Sequence, residues 1–247
     1  MLWQARRGFI SGNNAAMGGG FSPAALTGLI MWLDPTVTAS LTLSGALVTD
    51  FADQSGAGNN AINHSGASRA SYSATSLNGH PGVTYAGSFL NNSAFPMGTG
   101  NTLTVFAVYT LENIASGSAR LINYAAPGFT DQNSVHSWVI ARSGSTANPR
   151  MFRNGTESVP SNGSYTTPHR IIATIDGSGV ITTYIDNVAA ASATLNGNWT
   201  TAGLMSIGTD GTSNWNGVVG DIGIATGFTS SGNVALLDTY LKNKYGL

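Results

Sequence analysis

The chain has 247 residues, a formal charge of −1 and no cysteine, which excludes disulfide frameworks, thiol nucleophiles and cysteine-type zinc sites. Charged residues make up only 9% and glycines number 32, a balance that favours turns and short strands and supplies no basic field for nucleic acid. No apolar run reaches the about eighteen residues that a membrane-spanning helix needs, so neither nucleic acid nor a membrane is an expected partner.

In chain order, Ala5-Arg6-Arg7-Gly8-Phe9-Ile10 has the look of a twin-arginine export signal, but residues 11–20 supply no apolar segment to follow it. Residues 1–20 therefore read as an anchoring arm and flexible linker, and residues 21–247 as one domain. Trp3, Phe9 and Ile10 are apolar groups that an extended arm cannot bury alone. With Arg6 and Arg7 beside them, they are the expected partner-binding residues.

Residues 29–34 form the first strong apolar run, residues 41–48 alternate weakly, and residues 53–60 make a Gly/Asn-rich loop. Residues 102–109 are the best strand. Val105, Ala107 and Tyr109 lie on one face and Phe106 and Val108 on the other, so both faces are apolar and the strand is central. Strands are also expected at residues 120–124 and 137–141. The runs at 170–176 and 180–186 form a hairpin through Asp176-Gly-Ser-Gly179, with a tight turn at Asp186-Asn187. Residues 204–207 and 218–224 complete the strand set. One helix closes the chain. Ser230 or Ser231 caps it, Val234, Leu237 and Leu241 form a stripe widened by Leu236 and Tyr240, and Gly246 ends it.

Taken in order, these segments resemble the concanavalin A-like, laminin-G-like jelly rolls of bacteriophage virion and bacterial surface proteins. The residues that carry the resemblance are Gly28-Leu-Ile-Met-Trp-Leu-Asp34, Asp50-Phe-Ala-Asp-Gln-Ser-Gly-Ala-Gly-Asn59, Leu77-Asn-Gly, Phe106-Ala-Val, Asp176-Gly, Tyr184-Ile-Asp-Asn187, Asn216-Gly-Val-Val-Gly-Asp-Ile222 and Tyr240-Leu-Lys-Asn-Lys-Tyr-Gly246. The family usually has Trp where this chain has Phe51, and Gly where it has Asn187. The resemblance implies an all-β, two-sheet antiparallel jelly-roll sandwich with one C-terminal helix and an extended N-terminal arm. It implies ligands held at loop rims or a concave face, without naming them.

Catalytic motifs are missing from the sequence. A glycosidase on this fold resembles Glu-x-Asp-x-x-Glu on one strand, whereas Glu112 and Glu157 are isolated in polar contexts and read as solvated surface carboxylates. His64, His80, His136 and His169 are far apart and read as exposed loop residues. The loop Asp210-Gly-Thr-Ser-Asn-Trp-Asn-Gly217 offers calcium the oxygens of Asp210, Asn214 and Asn216, although Asx turn chemistry explains them as well. Trp199, Trp215 and Asn214 are the candidate glycan contacts, and packing beneath the loop is the alternative for both rings. The expectation is a non-enzymatic virion surface protein, a phage decoration or fibre component. It would be homo-oligomeric and attached to neighbouring subunits through its arm, with no obligatory cofactor. A secreted glycan-active enzyme or its binding module is the rival.

Overall fold

The computed structural model describes residues 20–63, 69–111, 119–127, 136–142, 149–160, 167–194, 202–209 and 213–247. In chain order the strands begin with β1 (Leu29–Leu33), β2 (Leu41–Ser44), β3 (Leu47–Phe51), β4 (Ala61–Ile62), β5 (Ser71–Leu77) and β6 (His80–Ala86). They continue with β7 (Leu90–Phe95), β8 (Leu103–Tyr109), β9 (Arg120–Ala125), β10 (Trp138–Arg142), β11 (Pro149–Arg153) and β12 (Thr156–Ser158). The last are β13 (His169–Ile175), β14 (Val180–Ile185), β15 (Val188–Thr194), β16 (Gly203–Ile207) and β17 (Asn216–Ala225), followed by helix α1 (Ser231–Tyr245).

These strands make two antiparallel layers. In the first, β17 lies between β8 on one edge and β6 and β1 on the other; β5 extends β6, while β13, β14 and β15 extend β8. The second runs β2, β3, β4, β7, β16, β9, β10, β11, β12. The layers meet at two edges. Leu47 of β3 pairs with Ser71 of β5. At the far edge the Ser158 hydroxyl of β12 donates to the Ala190 carbonyl of β15 at 2.5 Å and accepts from the Thr183 amide at 3.0 Å. An all-β antiparallel sandwich, nearly closed into a barrel and carrying one α-helix among the described residues, is therefore the architecture.

Alternation decides which side chains meet where. Val105, Ala107 and Tyr109 of β8 enter the main core between the layers, with Ile171, Ile222, Ile122, Trp138, Ile140 and Met151. Phe106 and Val108 point the other way, into a second cluster with Ile172, Val234, Leu237, Leu241 and Tyr245. Helix α1 thus covers the outer face of the first layer, and β8 is apolar on both sides for that reason. Gly223 sits opposite Phe106 in the ladder, and a Cβ there would collide with the Phe106 ring.

The helix begins and ends as its sequence suggests: the Ser230 side chain accepts from the Asn233 amide, and Gly246 closes it at φ 62°. One part of the stripe is corrected, because Leu236 is 49% exposed while Asp238 and Tyr245 are buried in its stead. At 3.6 residues per turn, the buried set 234, 237, 238, 241 and 245 is the continuous face, and position 236 falls outside it.

Lys244 does more than complement the helix dipole. Its Nζ lies 2.6 Å from Asp34 Oδ2 and 2.8 Å from Asp221 Oδ1, with the rings of Trp32, Tyr240 and Tyr245 all within 6 Å. Asp221 also accepts from the Trp32 indole N–H at 3.0 Å and the Tyr245 hydroxyl at 2.6 Å. Burial pushes the Asp221 carboxyl up to about 6 despite the pull of Lys244, and Asp34 pushes the same way. Lys244, though opposed by its own burial, is held well above the ordinary lysine range by the two carboxylates. The signature pieces of β1, β17 and α1 are therefore one buried polar lock that pins the helix to the first layer.

Candidate functional site

The outer face of the second layer has no helix of the described chain upon it, and its residues follow from register. Met151, Ile140, Ile122, Ile207 and Leu90 form an inward row across β11, β10, β9, β16 and β7. The neighbouring outward row is Glu157, Phe152, Val139, Asn123, Ser206, Asn91 and Ile62, one residue per strand from β12 to β4. Beside it, Arg120, Ala141 and Arg150 form a shorter outward row on β9, β10 and β11. Val139 and Ala141 are fully buried yet belong to neither hydrophobic cluster, as expected for apolar floor residues among polar side chains.

The β11–β12 corner of this face is accessible, as is the opposite end of the row at Ile62. Its hairpin turns at Asn154 (φ 45°) and Gly155 (φ 80°), both in the left-handed region that a two-residue turn requires. That turn places Arg150 and Phe152 on one side of β11 and Glu157 opposite Phe152 on β12. Arg150 is ion-paired to Glu157, and its guanidinium lies 5.3 Å from the centre of the Phe152 ring. Phe152 is half-buried and Glu157 is exposed. Burial lowers the Arg150 pKa and the Arg120 charge lowers it further, so the two guanidiniums sense each other across β10. Asn91 Oδ1, Asn123 Oδ1 and Arg150 Nε are buried polar atoms without a hydrogen-bond partner. An amide, guanidinium and carboxylate set around a half-buried ring suits a ligand rich in hydroxyl or charged oxygen.

A second polar cluster lies at the end of the first layer. His169 Nδ1 is 2.5 Å from Asp186 Oδ2, and its Nε2 is 3.2 Å from the Thr167 hydroxyl. Asp186 Oδ1 accepts from the Arg170 amide at 3.0 Å, and the Arg170 Nε donates to Asp238 of α1 at 2.8 Å. Burial works to raise the Asp186 carboxyl, but the bonds and charges of His169 and Arg170 prevail and hold it below the ordinary range. His169 is only 9% exposed, so the expectation of an exposed loop histidine is corrected: it sits on β13 beside Tyr109 and is spoken for at both nitrogens. This chain ties the β14–β15 turn, β13 and α1 together.

The expected site residues fare unequally. Trp3, Arg6, Arg7, Phe9, Ile10, Trp199 and Asp210 lie outside the described residues, as do Glu112 and His64. Trp215 is corrected: its ring is fully buried, its indole N–H donates to the Thr110 carbonyl at 3.1 Å, and it packs edge-on to Tyr109 at 5.5 Å. A ring with no exposed face cannot stack on a sugar. Asn214 Oδ1 accepts from the Thr209 hydroxyl at 2.8 Å and Asn216 Oδ1 from the Gly87 amide at 3.1 Å, so both amide oxygens brace their own loop. Asn214 also bridges to Arg120, which sets this loop beside the arginine row. Among the described residues no group of three or more His, Asp or Glu gathers as metal ligands. Glu157 is exposed, as a surface carboxylate should be, and it also pairs with Arg150.

No family model matches the chain, and no curated protein does. Solved structures do match, and together they define the class as a jelly-roll-like β-sandwich. The binding domain of Paraclostridial Mosquitocidal Protein 1 aligns with a TM-score of 0.60 at 14% identity, over 87% of this chain and 53% of that one. Domain 4 of AbnA, a GH43 extracellular arabinanase from Geobacillus stearothermophilus solved with arabinotriose, aligns at 0.56 and 14%, over 84% of this chain and 97% of that one. A Trypanosoma rangeli sialidase in complex with the inhibitor DANA aligns at 0.57 and 12%, over 87% of this chain; the chain spans only 33% of the sialidase's length. At such identities the likeness is one of fold.

Proposed function

We propose that this chain is a non-catalytic glycan-binding module, displayed on the surface of a larger assembly, and that its sugar contacts lie on the outer face of the second layer. The observation that carries the reading is the β11–β12 corner, where a half-buried Phe152 ring is framed by Arg150 and Glu157. Such a ring gives a pyranose an apolar platform, while the flanking charged groups and amides meet its hydroxyls. The like-sized domain 4 of an arabinanase, solved with arabinotriose, supports a sugar-binding role for a sandwich of this shape. A virion, reached through residues 1–20, is the assembly that the sequence resemblance favours. The same arabinanase domain favours a second reading, a binding module appended to a glycan-active enzyme.

Incubation with a panel of polysaccharides separates the possibilities. Retention without release of reducing ends is the expected result, and Phe152→Ala should weaken retention about tenfold, an aromatic platform's share being about 1–2 kcal/mol. Release of reducing ends would mean an enzyme, and no retention of any polysaccharide would remove the glycan reading altogether.

A further inference from the structure

Lys244, Asp34 and Asp221 take no part in the face proposed for glycans, and their arrangement has a chemistry of its own. Lys244 Nζ lies 2.6 Å from Asp34 Oδ2 and 2.8 and 3.0 Å from the two oxygens of Asp221. An amine touching a carboxyl group is one water molecule away from an amide, and a fixed site supplies the orientation that a free pair lacks. Asp34 is set for attack. Its Oδ1 accepts from the Thr36 amide at 2.9 Å and the Thr36 hydroxyl at 2.7 Å, two donors that would steady the oxygen of a tetrahedral intermediate, while Oδ2 faces the amine. Asp221 is set to carry protons. The Trp32 indole N–H and the Tyr245 hydroxyl fix its two oxygens at 3.0 and 2.6 Å, and burial brings its carboxyl up to about 6, near the working range of a general acid–base. The rings of Trp32, Tyr240 and Tyr245 stand around Nζ and both carboxylates are buried, so water that could hydrolyse an amide has little access. Such a site also favours the product, because a neutral amide is spared the desolvation that a buried ion pair bears.

We propose that Lys244 and Asp34 join in an intramolecular isopeptide bond, with Asp221 carrying the protons. Burial opposes the charge of the Lys244 amine, but the two carboxylates outweigh it, so the ion pair is the state before reaction. Asp221 first takes a proton from Nζ and passes it to Asp34 Oδ2. The freed nitrogen lone pair then forms a bond to Asp34 Cγ. Asp221 carries a second proton from the nitrogen to the same oxygen, the Cγ–Oδ2 bond breaks, and Oδ2 leaves as water. One of the three Nζ protons stays on the amide, Asp34 Oδ1 becomes its carbonyl oxygen, and Asp221 ends as it began. Neither oxidant nor cofactor is consumed, and the reaction has to occur only once in the life of each molecule. The bond ties the residue that follows β1 to the last turn of α1, a covalent clasp in a chain that has no cysteine. It is independent of the glycan reading.

The test is mass spectrometry of the full chain, held for days at mildly acidic pH and then denatured. The expected mass is lower than that of the sequence by one water molecule. Trypsin should then leave the bond after Lys244 uncut and release a branched peptide, residues 243–247 attached to the peptide that holds Asp34. Lys244→Met and Asp34→Ala should keep their full mass. Asp221→Asn leaves Lys244 paired with Asp34 but cannot relay a proton, so it should fold, as circular dichroism would show, and form little or no branched peptide. That loss is what a merely structural ion cluster would not produce. A native chain of full mass, cut after Lys244, would overturn the proposal whatever the variants do. So would a loss of water that persists in Lys244→Met, the mark of a succinimide at an Asp-Gly pair such as Asp176-Gly177. Branched peptide formed as fast in Asp221→Asn would overturn the role given to Asp221.

Discussion

Leu237→Ala tests how the helix is held. Leu237 is fully buried in the cluster that α1 shares with Phe106, Val108 and Ile172 of the first layer. At about 0.8 kcal/mol for each buried methylene, the carbons removed account for about 2.4 kcal/mol. The cavity left between a helix and a sheet pinned by the Lys244 lock closes incompletely, which brings the total to about 3–4 kcal/mol, inside the range known for buried leucines. For a domain of this size that corresponds to a melting temperature lower by about 6–16 °C. Leu236→Ala, one position earlier and 49% exposed, should change stability by no more than about 0.5 kcal/mol. Urea titrations of both variants, followed by tryptophan fluorescence, make the comparison. Equal effects, or a Leu237→Ala cost below about 1 kcal/mol, would refute the packing described for α1.

Lys244→Met should cost about 3–5 kcal/mol near pH 8, because it strands Asp34 and Asp221 in a buried site. A carboxyl raised in the folded state favours folding once protonated, so this cost should shrink as pH falls through about 6; melting curves across pH 5–8 would show it. Asp186 has the opposite sign. Its depressed pKa stabilises the fold above the ordinary carboxyl range and the benefit vanishes as pH falls below about 4, so Asp186→Asn, which keeps the left-handed turn, should destabilise at pH 7 but hardly at pH 2.5. Gly223→Ala should lose several degrees of melting temperature, since the new methyl group meets the Phe106 ring beneath the helix.

Much of the fold could be read from local pattern. The two-faced alternation of β8, the Asp176 and Asp186-Asn187 turns and the capped helix each combine a strong period with turn chemistry, and the chain folds as they suggest. The strands that escaped are those with weak patterns. β5 is polar over Ser71–Ser76, β7 carries Asn-Asn-Ser in its middle, and β15 is mostly alanine. The candidate site joins two strands that could be read, β9 and β10, to two that also escaped, β11 and β12, whose outward charged groups break the apolar alternation that marks a strand. One signal was present at β11 and β12: Asn154-Gly155 between Met151-Phe152-Arg153 and Thr156-Glu157-Ser158 is a hairpin signature, and it sets Arg150, Phe152 and Glu157 on one face. The place of Arg120 beside Arg150 was not legible, since the irregular pairing between Ile140 and Ala141 is what brings Arg120 opposite Ala141. Trp215 misled for a similar reason. Its polar, Gly-rich loop suggested a rim, whereas the ring turns inward beneath Thr110.

Hydrogen–deuterium exchange of the full chain, with and without whichever saccharide of the panel it retains, tests the central claim most directly. If the outer face of the second layer is the binding surface, the saccharide should slow exchange at the amides of residues 149–158 and of neighbouring β10, and leave α1 and β13 unchanged. Protection confined to the helix side of the first layer, or a bound saccharide with no footprint on β10, β11 and β12, would contradict it.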